Sequence, residues 1–150
     1  MAIFFGSETT DSLGDYDQGT WTVTLNKAGT GGNADSMVTH RYGYYERIGD
    51  LCWIAFYWYS NNLNFGNTNG AWYISGLPYN IQTLTNSAYQ FIPGGYLYGN
   101  SHPSAYSAGY RWQSNNTNGA DTLQIYSSIY NSNAGGGAWE FSGSGVLRTQ

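Results

Sequence analysis

The ten residues Leu51–Ser60, LCWIAFYWYS, constrain the fold more than any other stretch of this chain. They carry no charge, no Gly and no Pro, and turn residues flank them on both sides, Gly49-Asp50 before and Asn61-Asn62 after. Such a bounded apolar and aromatic run predicts a β-strand. Its continuous hydrophobicity predicts a central strand covered on both faces. Met37–Ile48 just before it is also rich in β-formers. The two runs around Gly49-Asp50 therefore predict a tight hairpin, with a type I′ or similar turn. Gly43, midway along the first run, predicts a bulge or a close approach of backbone.

Shorter pieces of the same kind fill the rest of the chain. Thr20–Leu25, Ala71–Ser75, Tyr106–Gln113, Thr122–Tyr130 and Trp139–Arg148 read as strands separated by Gly-, Asn- and Ser-rich loops. Tyr89–Tyr98 holds Pro93-Gly94-Gly95 and reads as two short strands around a turn. No segment shows a capped 3.6-residue period. About eight to ten strands predict an all-β, jelly-roll-like antiparallel sandwich. The expected organisation is an N-terminal arm over residues 1–14 and one sandwich domain over 15–150. The expected core includes Trp21, Trp53, Ile54, Phe56, Trp72 and Ile74.

Composition then narrows the function. Charged residues are 9% of the chain, against 18% aromatics, and the net charge is −4. Gly, Asn, Ser and Thr make up 64 of the 150 residues. With no basic cluster, binding nucleic acid through its phosphates is not expected. No run of about 18 apolar residues exists to form a membrane helix. The single cysteine, Cys52, excludes an intramolecular disulfide and a thiolate zinc cluster. MAIFFG at the start lacks the features of a secretory signal. A neutral, adhesive surface without export points to a phage protein assembled in the host cytoplasm and released by lysis.

The side chains able to do chemistry are few: nine acids and two histidines. Asp15 and Asp17 flank Tyr16 ahead of a glycine, but further ligands at calcium-loop spacing do not follow, so a turn is expected. Trp21 reads as core rather than as a sugar platform. Cys52, inside the most apolar strand, reads as a buried small hydrophobe rather than a nucleophile. His40 reads as a solvated strand residue and His102 as a loop residue. Glu46 and Asp50 lack the support an acid/base pair needs. No catalytic residue, metal or cofactor is expected, and the chain reads as a non-enzyme. Tyr96, Tyr98, Tyr106, Tyr110 and Trp112 cluster in a Gly/Ser-rich stretch suited to a subunit interface or a carbohydrate platform.

Three motifs in order carry a resemblance. They are Asp15-Tyr16-Asp17-Gln18-Gly19-Thr20-Trp21 with Thr24-Leu25, then Arg41-Tyr42-Gly43-Tyr44-Tyr45-Glu46-Arg47-Ile48-Gly49, then Ile74-Ser75-Gly76-Leu77-Pro78-Tyr79. Phe141-Ser142-Gly143-Ser144-Gly145 follows near the end. From Asp15 onward the chain resembles β-rich domains of tailed-phage virion proteins, found at tips of tail and head fibres and as capsid decoration proteins. Val23 stands where that family often has Pro, and Tyr44–Arg47 adds bulk.

The resemblance implies an all-β virion surface domain, expected as a homotrimer, with no catalytic motif to carry over. About fifteen residues precede the first motif, too few for a fibre shaft. At about 3.3 Å per residue they reach roughly 50 Å, enough to clasp a neighbour. Ile3, Phe4 and Phe5 would anchor such an arm. The expectation is therefore a decoration (cement) protein on the major capsid protein, with a fibre-tip domain binding a host receptor or surface glycan as the alternative.

Overall fold

A computed structural model describes residues 16–27, 35–64, 72–82, 90–99, 111–114, 122–126 and 137–150. The hairpin at Gly49-Asp50 forms as expected: strand β3 (His40–Ile48) pairs antiparallel with β4 (Leu51–Ser60), from Ile48↔Leu51 out to His40↔Tyr59. Gly49 sits at φ +59°, the left-handed conformation such a turn requires. A short 3₁₀ turn over Asp35–Met37 precedes β3, so the strand begins at His40 rather than at the expected Met37. Strand β1 (Tyr16–Trp21) lines the far side of β3, and β9 (Trp139–Arg148) pairs with all ten residues of β4. β6 (Phe91–Gly99) completes this first sheet along β9.

The second sheet uses β2 (Thr24–Lys27), β5 (Trp72–Ser75), β7 (Arg111–Ser114) and β8 (Leu123–Tyr126). Among the described residues the nine strands run in the order β1-β3-β4-β9-β6-β7-β8-β5-β2, and each pairs antiparallel with its neighbours. The chain is all-β, and its two sheets pack as an antiparallel sandwich. β6 belongs to both: Phe91–Pro93 pair with β7, while Gly94 and Leu97–Gly99 pair with β9 after a register shift. The Pro93-Gly94-Gly95 segment is thus a bend within one strand rather than a turn between two.

A second corner joins the two ends of the strand order. The sequence predicted one strand over Thr20–Leu25, but Thr22 and Val23 leave the ladder and carry the chain from β1 in one sheet to β2 in the other. The first and last strands of the order are therefore neighbours in the chain. Val23 turns inward and is fully buried. Gly76, at φ +81°, passes so close that a Cβ there would lie 2.5 Å from the Thr22 carbonyl oxygen.

Aromatic side chains fill the core by lying over glycines. One inward row across the first sheet reads Trp21–Gly43–Phe56–Gly143. Trp21 covers Gly43, where a Cβ would fall 2.5 Å from the indole Cε2. Phe56 covers Gly143 in the same way, and the two rings meet edge-on at 6.1 Å. Gly43 is thus a close approach, one of the two expected alternatives. Trp72, Trp139 and Phe141 form a second stack, with Trp72 and Trp139 centroids 5.6 Å apart. Lys27 is buried at this stack, its ammonium 4.9 Å from the Trp72 ring centre, and burial lowers its pKa.

Of the expected core, Trp21, Ile54, Phe56, Trp72 and Ile74 are buried. Trp53 is not: 39% of its surface is exposed. β4 is central, but only Cys52, Ile54, Phe56, Trp58 and Ser60 face inward. Leu51, Trp53, Ala55, Tyr57 and Tyr59 form the outward face, which no second layer covers among the described residues. An antiparallel sheet can leave one face to water, and Trp and Tyr can lie there because they combine apolar area with a polar tip. Trp112 is a second correction. Expected at a contact surface, it is fully buried, edge-on to Phe56 at 5.3 Å, with its indole N–H donating to the Ser142 carbonyl.

Candidate functional site

Two features of the first sheet gather side chains with chemical capability. The first lies on the inward side at the end near the hairpin turn, where the row Asp17–Arg47–Cys52 runs across β1, β3 and β4. Asp17 accepts hydrogen bonds from the Tyr45 hydroxyl at 3.1 Å and from the Tyr79 hydroxyl. The Arg47 guanidinium lies 4.5 Å over the Tyr79 ring, and Tyr45 meets Tyr79 edge-on at 5.7 Å. The Tyr79 hydrogen bond, with that of Tyr45 and the Arg47 charge, holds the Asp17 carboxyl below its ordinary value. Every member is engaged with another, so the cluster ties the loop after β5 to the edge of the first sheet.

The sequence motifs meet at this same corner. Asp17, Gly19, Trp21 and Thr22 come from the first motif and its continuation, Gly43, Tyr45 and Arg47 from the second, and Gly76 and Tyr79 from the third. Trp21 lies on Gly43, Tyr45 on Gly19, Gly76 beneath Thr22, and Tyr79 on Asp17. The motif spacing is thus the spacing of contacts that turn the chain between the two sheets. Cys52 is buried behind this cluster, and burial pushes its thiol up to about 11. A thiol so displaced is protonated at neutral pH and is a poor nucleophile.

The second feature is the outward face of the sheet. Strand register aligns its rows across β1, β3, β4 and β9: Tyr16–Ile48–Leu51–Arg148, then Gln18–Glu46–Trp53–Val146, then Thr20–Tyr44–Ala55–Ser144. Tyr42–Tyr57–Ser142 and His40–Tyr59–Glu140 continue across three strands. Most of the large apolar side chains exposed among the described residues lie here, including Ile48, Leu51, Trp53 and Val146. Tyr42 stacks on Tyr57 at 5.4 Å and His40 on Tyr59 at 6.1 Å, with planes within 14°. Tyr42 nonetheless remains 61% exposed. Trp53 instead meets Tyr44 at 67°, 6.0 Å between centroids.

Polar groups beside Trp53 are ordered by tyrosine hydroxyls. Gln18 Oε1 accepts from the Tyr16 hydroxyl at 3.0 Å and lies 3.1 Å from the Tyr44 hydroxyl, whose single proton goes to Glu46 Oε1 at 2.9 Å. The hydrogen bond to Glu46 is the main reason the Tyr44 hydroxyl is raised above its ordinary pKa. Sequence reasoning missed this face because it placed Trp53 in the core. The alternation along β1 and β3, which puts Gln18, Glu46 and Tyr44 on the side opposite Trp21 and Gly43, was the available signal.

The remaining expected contact residues fall elsewhere. Tyr96 and Tyr98 lie on β6, with Tyr98 opposite Glu140 in register, and their side chains lie outside the described residues. Ile3, Phe4, Phe5, Tyr106, Tyr110, Asp15 and His102 also lie outside them. His40 is exposed on β3, as expected of a solvated strand residue. Among the described residues no three of His, Cys, Asp and Glu gather in a metal-holding arrangement. No protein-family model and no curated protein matches the chain.

Proposed function

We propose that the protein is a structural component of a tailed-phage virion, a capsid decoration protein that binds the outer surface of the major capsid shell and reinforces it. The observation that carries this reading is the convergence of the three motifs on one corner of the sandwich. Residues that resemble the virion-domain family at scattered positions act together here, as the determinants of one chain path. That coherence supports a likeness of fold, and the family's role follows as the proposal. The paucity of charge agrees with it, since neutral surfaces suit many weak contacts repeated around a shell.

Particles assembled without the protein test the proposal. Loss of density from the outer shell and earlier rupture on heating are expected. Unchanged shell density and stability would overturn it. Copy number separates the alternative: hundreds per virion fit a shell protein, and a handful fit a fibre tip.

A further inference from the structure

On the outward face of the first sheet an exposed indole adjoins polar side chains with hydrogen-bonding positions to spare. Trp53 is 39% exposed there. Its cross-strand neighbour on β3 is Glu46, and Gln18 on β1 is the next residue in the same row. The tyrosines bind one end of each polar side chain: Gln18 through Oε1, Glu46 through Oε1. Among the described residues Gln18 Nε2 and Glu46 Oε2 have no hydrogen-bond partner. An amide donor and a carboxylate acceptor are thereby held in place beside an exposed indole.

This combination is the complement of a pyranose sugar. A hexose has a face of C–H groups that packs on an indole by dispersion and burial of apolar area. Its vicinal hydroxyls both donate and accept, so one can accept from the Gln18 amide while its neighbour donates to the Glu46 carboxylate. A protein partner needs breadth, about 800 Å² per side. A single ring with one ordered donor and one ordered acceptor suits a small polar ligand with one flat apolar side. Tyr42, itself 61% exposed, stacks on Tyr57 two rows away from Trp53, and His40 stacks on Tyr59 in the row beyond, so the row of Trp53, Glu46 and Gln18 is the one that sets an exposed indole beside an ordered amide and carboxylate. The charge selects the sugar's class: Glu46 at the site and a net charge of −4 repel uronic and sialic acids.

We propose that Trp53, Gln18 and Glu46 form a binding site for a neutral hexopyranose residue of a surface polysaccharide. It goes beyond a shell-binding role and stands independently of it. On a particle with many copies, weak sites of this kind would add up through avidity.

Affinity electrophoresis of the purified chain tests the site, in native gels cast with a soluble β-glucan, a galactan or a mannan, and with a polyuronate as the acidic comparison. Retardation is expected in at least one neutral gel and not in the polyuronate gel. Trp53→Ala is expected to weaken that retardation at least tenfold, and Gln18→Ala about three- to tenfold. Both positions are on the solvent side, so unchanged circular dichroism and elution volume are expected. Should Trp53→Ala misfold, Gln18→Ala on the edge strand carries the test alone. The proposal is overturned if no neutral polysaccharide retards the protein, if the polyuronate retards it equally, or if the variants migrate like wild type. It is also overturned if Trp53→Ala acts only by dissociating a self-associated form, which would assign the face to a second copy of the chain.

Discussion

Replacing Gly43 with Ala adds a single methyl group, and its cost follows from where that group would go. The new Cβ would lie 2.5 Å from Trp21 Cε2 and 2.6 Å from Cδ2 and Nε1, against the middle of a rigid ring. Ordinary carbon contacts are about 3.5–4.0 Å, so the indole must retreat by about 1 Å. Its way is blocked by Phe56, 6.1 Å away edge-on, and Phe56 is itself packed down on Gly143. Overpacking of this kind costs about 1–3 kcal/mol, and expelling a buried Trp costs about 3–5 kcal/mol. A loss of about 2–4 kcal/mol is expected. At about 2–4 °C per kcal/mol for a chain of this size, Tm falls by roughly 5–15 °C. Urea unfolding followed by circular dichroism reads the loss directly, and a double-mutant cycle with Trp21→Leu assigns it. In the Trp21→Leu background, Gly43→Ala should cost less than about 1 kcal/mol. A Gly43→Ala protein within about 0.5 kcal/mol of wild type, or an equal cost in both backgrounds, would refute the reasoning.

Three further outcomes are expected. Gly76→Ala should destabilise the fold more than Gly49→Asn by urea unfolding, because Gly76 combines φ +81° with the Thr22 carbonyl 2.5 Å from a Cβ, whereas Gly49 at φ +59° has nothing within 4 Å. Tyr79→Phe removes the main hydrogen bond that lowers the Asp17 pKa beneath 3.8. A carboxyl lowered in the folded state contributes stability above its unfolded value and loses it as pH falls through the folded one. The stability gap between wild type and Tyr79→Phe should therefore be full above about pH 5 and shrink in titrations toward pH 2. Cys52, buried with its thiol pushed up to about 11, should resist a disulfide reagent at pH 8 in the folded protein and react promptly in denaturant.

Much of the strand content was legible because local composition decides it. The turn at Gly49-Asp50, β4 at Leu51–Ser60 and β9 at Trp139–Arg148 match expectation, while β3 starts three residues late, at His40 instead of Met37. What the sequence hid was the choice of face and of sheet. A run such as LCWIAFYWYS hides the period-two alternation, because Trp53, Tyr57 and Tyr59 are as aromatic as Phe56 and Trp58, which are buried. Trp112 misled in the opposite direction: its Gly/Ser-rich neighbours suggest a surface, while tertiary packing sets it between Phe56 and Phe141. Thr22-Val23 and Pro93–Gly95 change sheets through long-range contacts, at Gly76 for the first and Ser142 for the second, that local pattern does not encode. The site around Trp53 was lost for the same reason, since it depends on which side of the sheet each residue takes.

The place of β9 has a consequence for how the protein is made. Among the described residues it is the last of nine strands in chain order, yet it lies between β4 and β6 in the interior of the first sheet. During synthesis the β3–β4 hairpin can form early, but one edge of β4 then stays open, with its most apolar residues next to unpaired backbone. That edge closes only when Trp139–Arg148 leaves the ribosome. Pairing across so long a separation is slow, and an open aromatic edge invites another nascent chain to take the vacant place. The interval before β9 arrives therefore exposes the chain to aggregation, and slowing translation just ahead of Trp139 should lower the soluble yield.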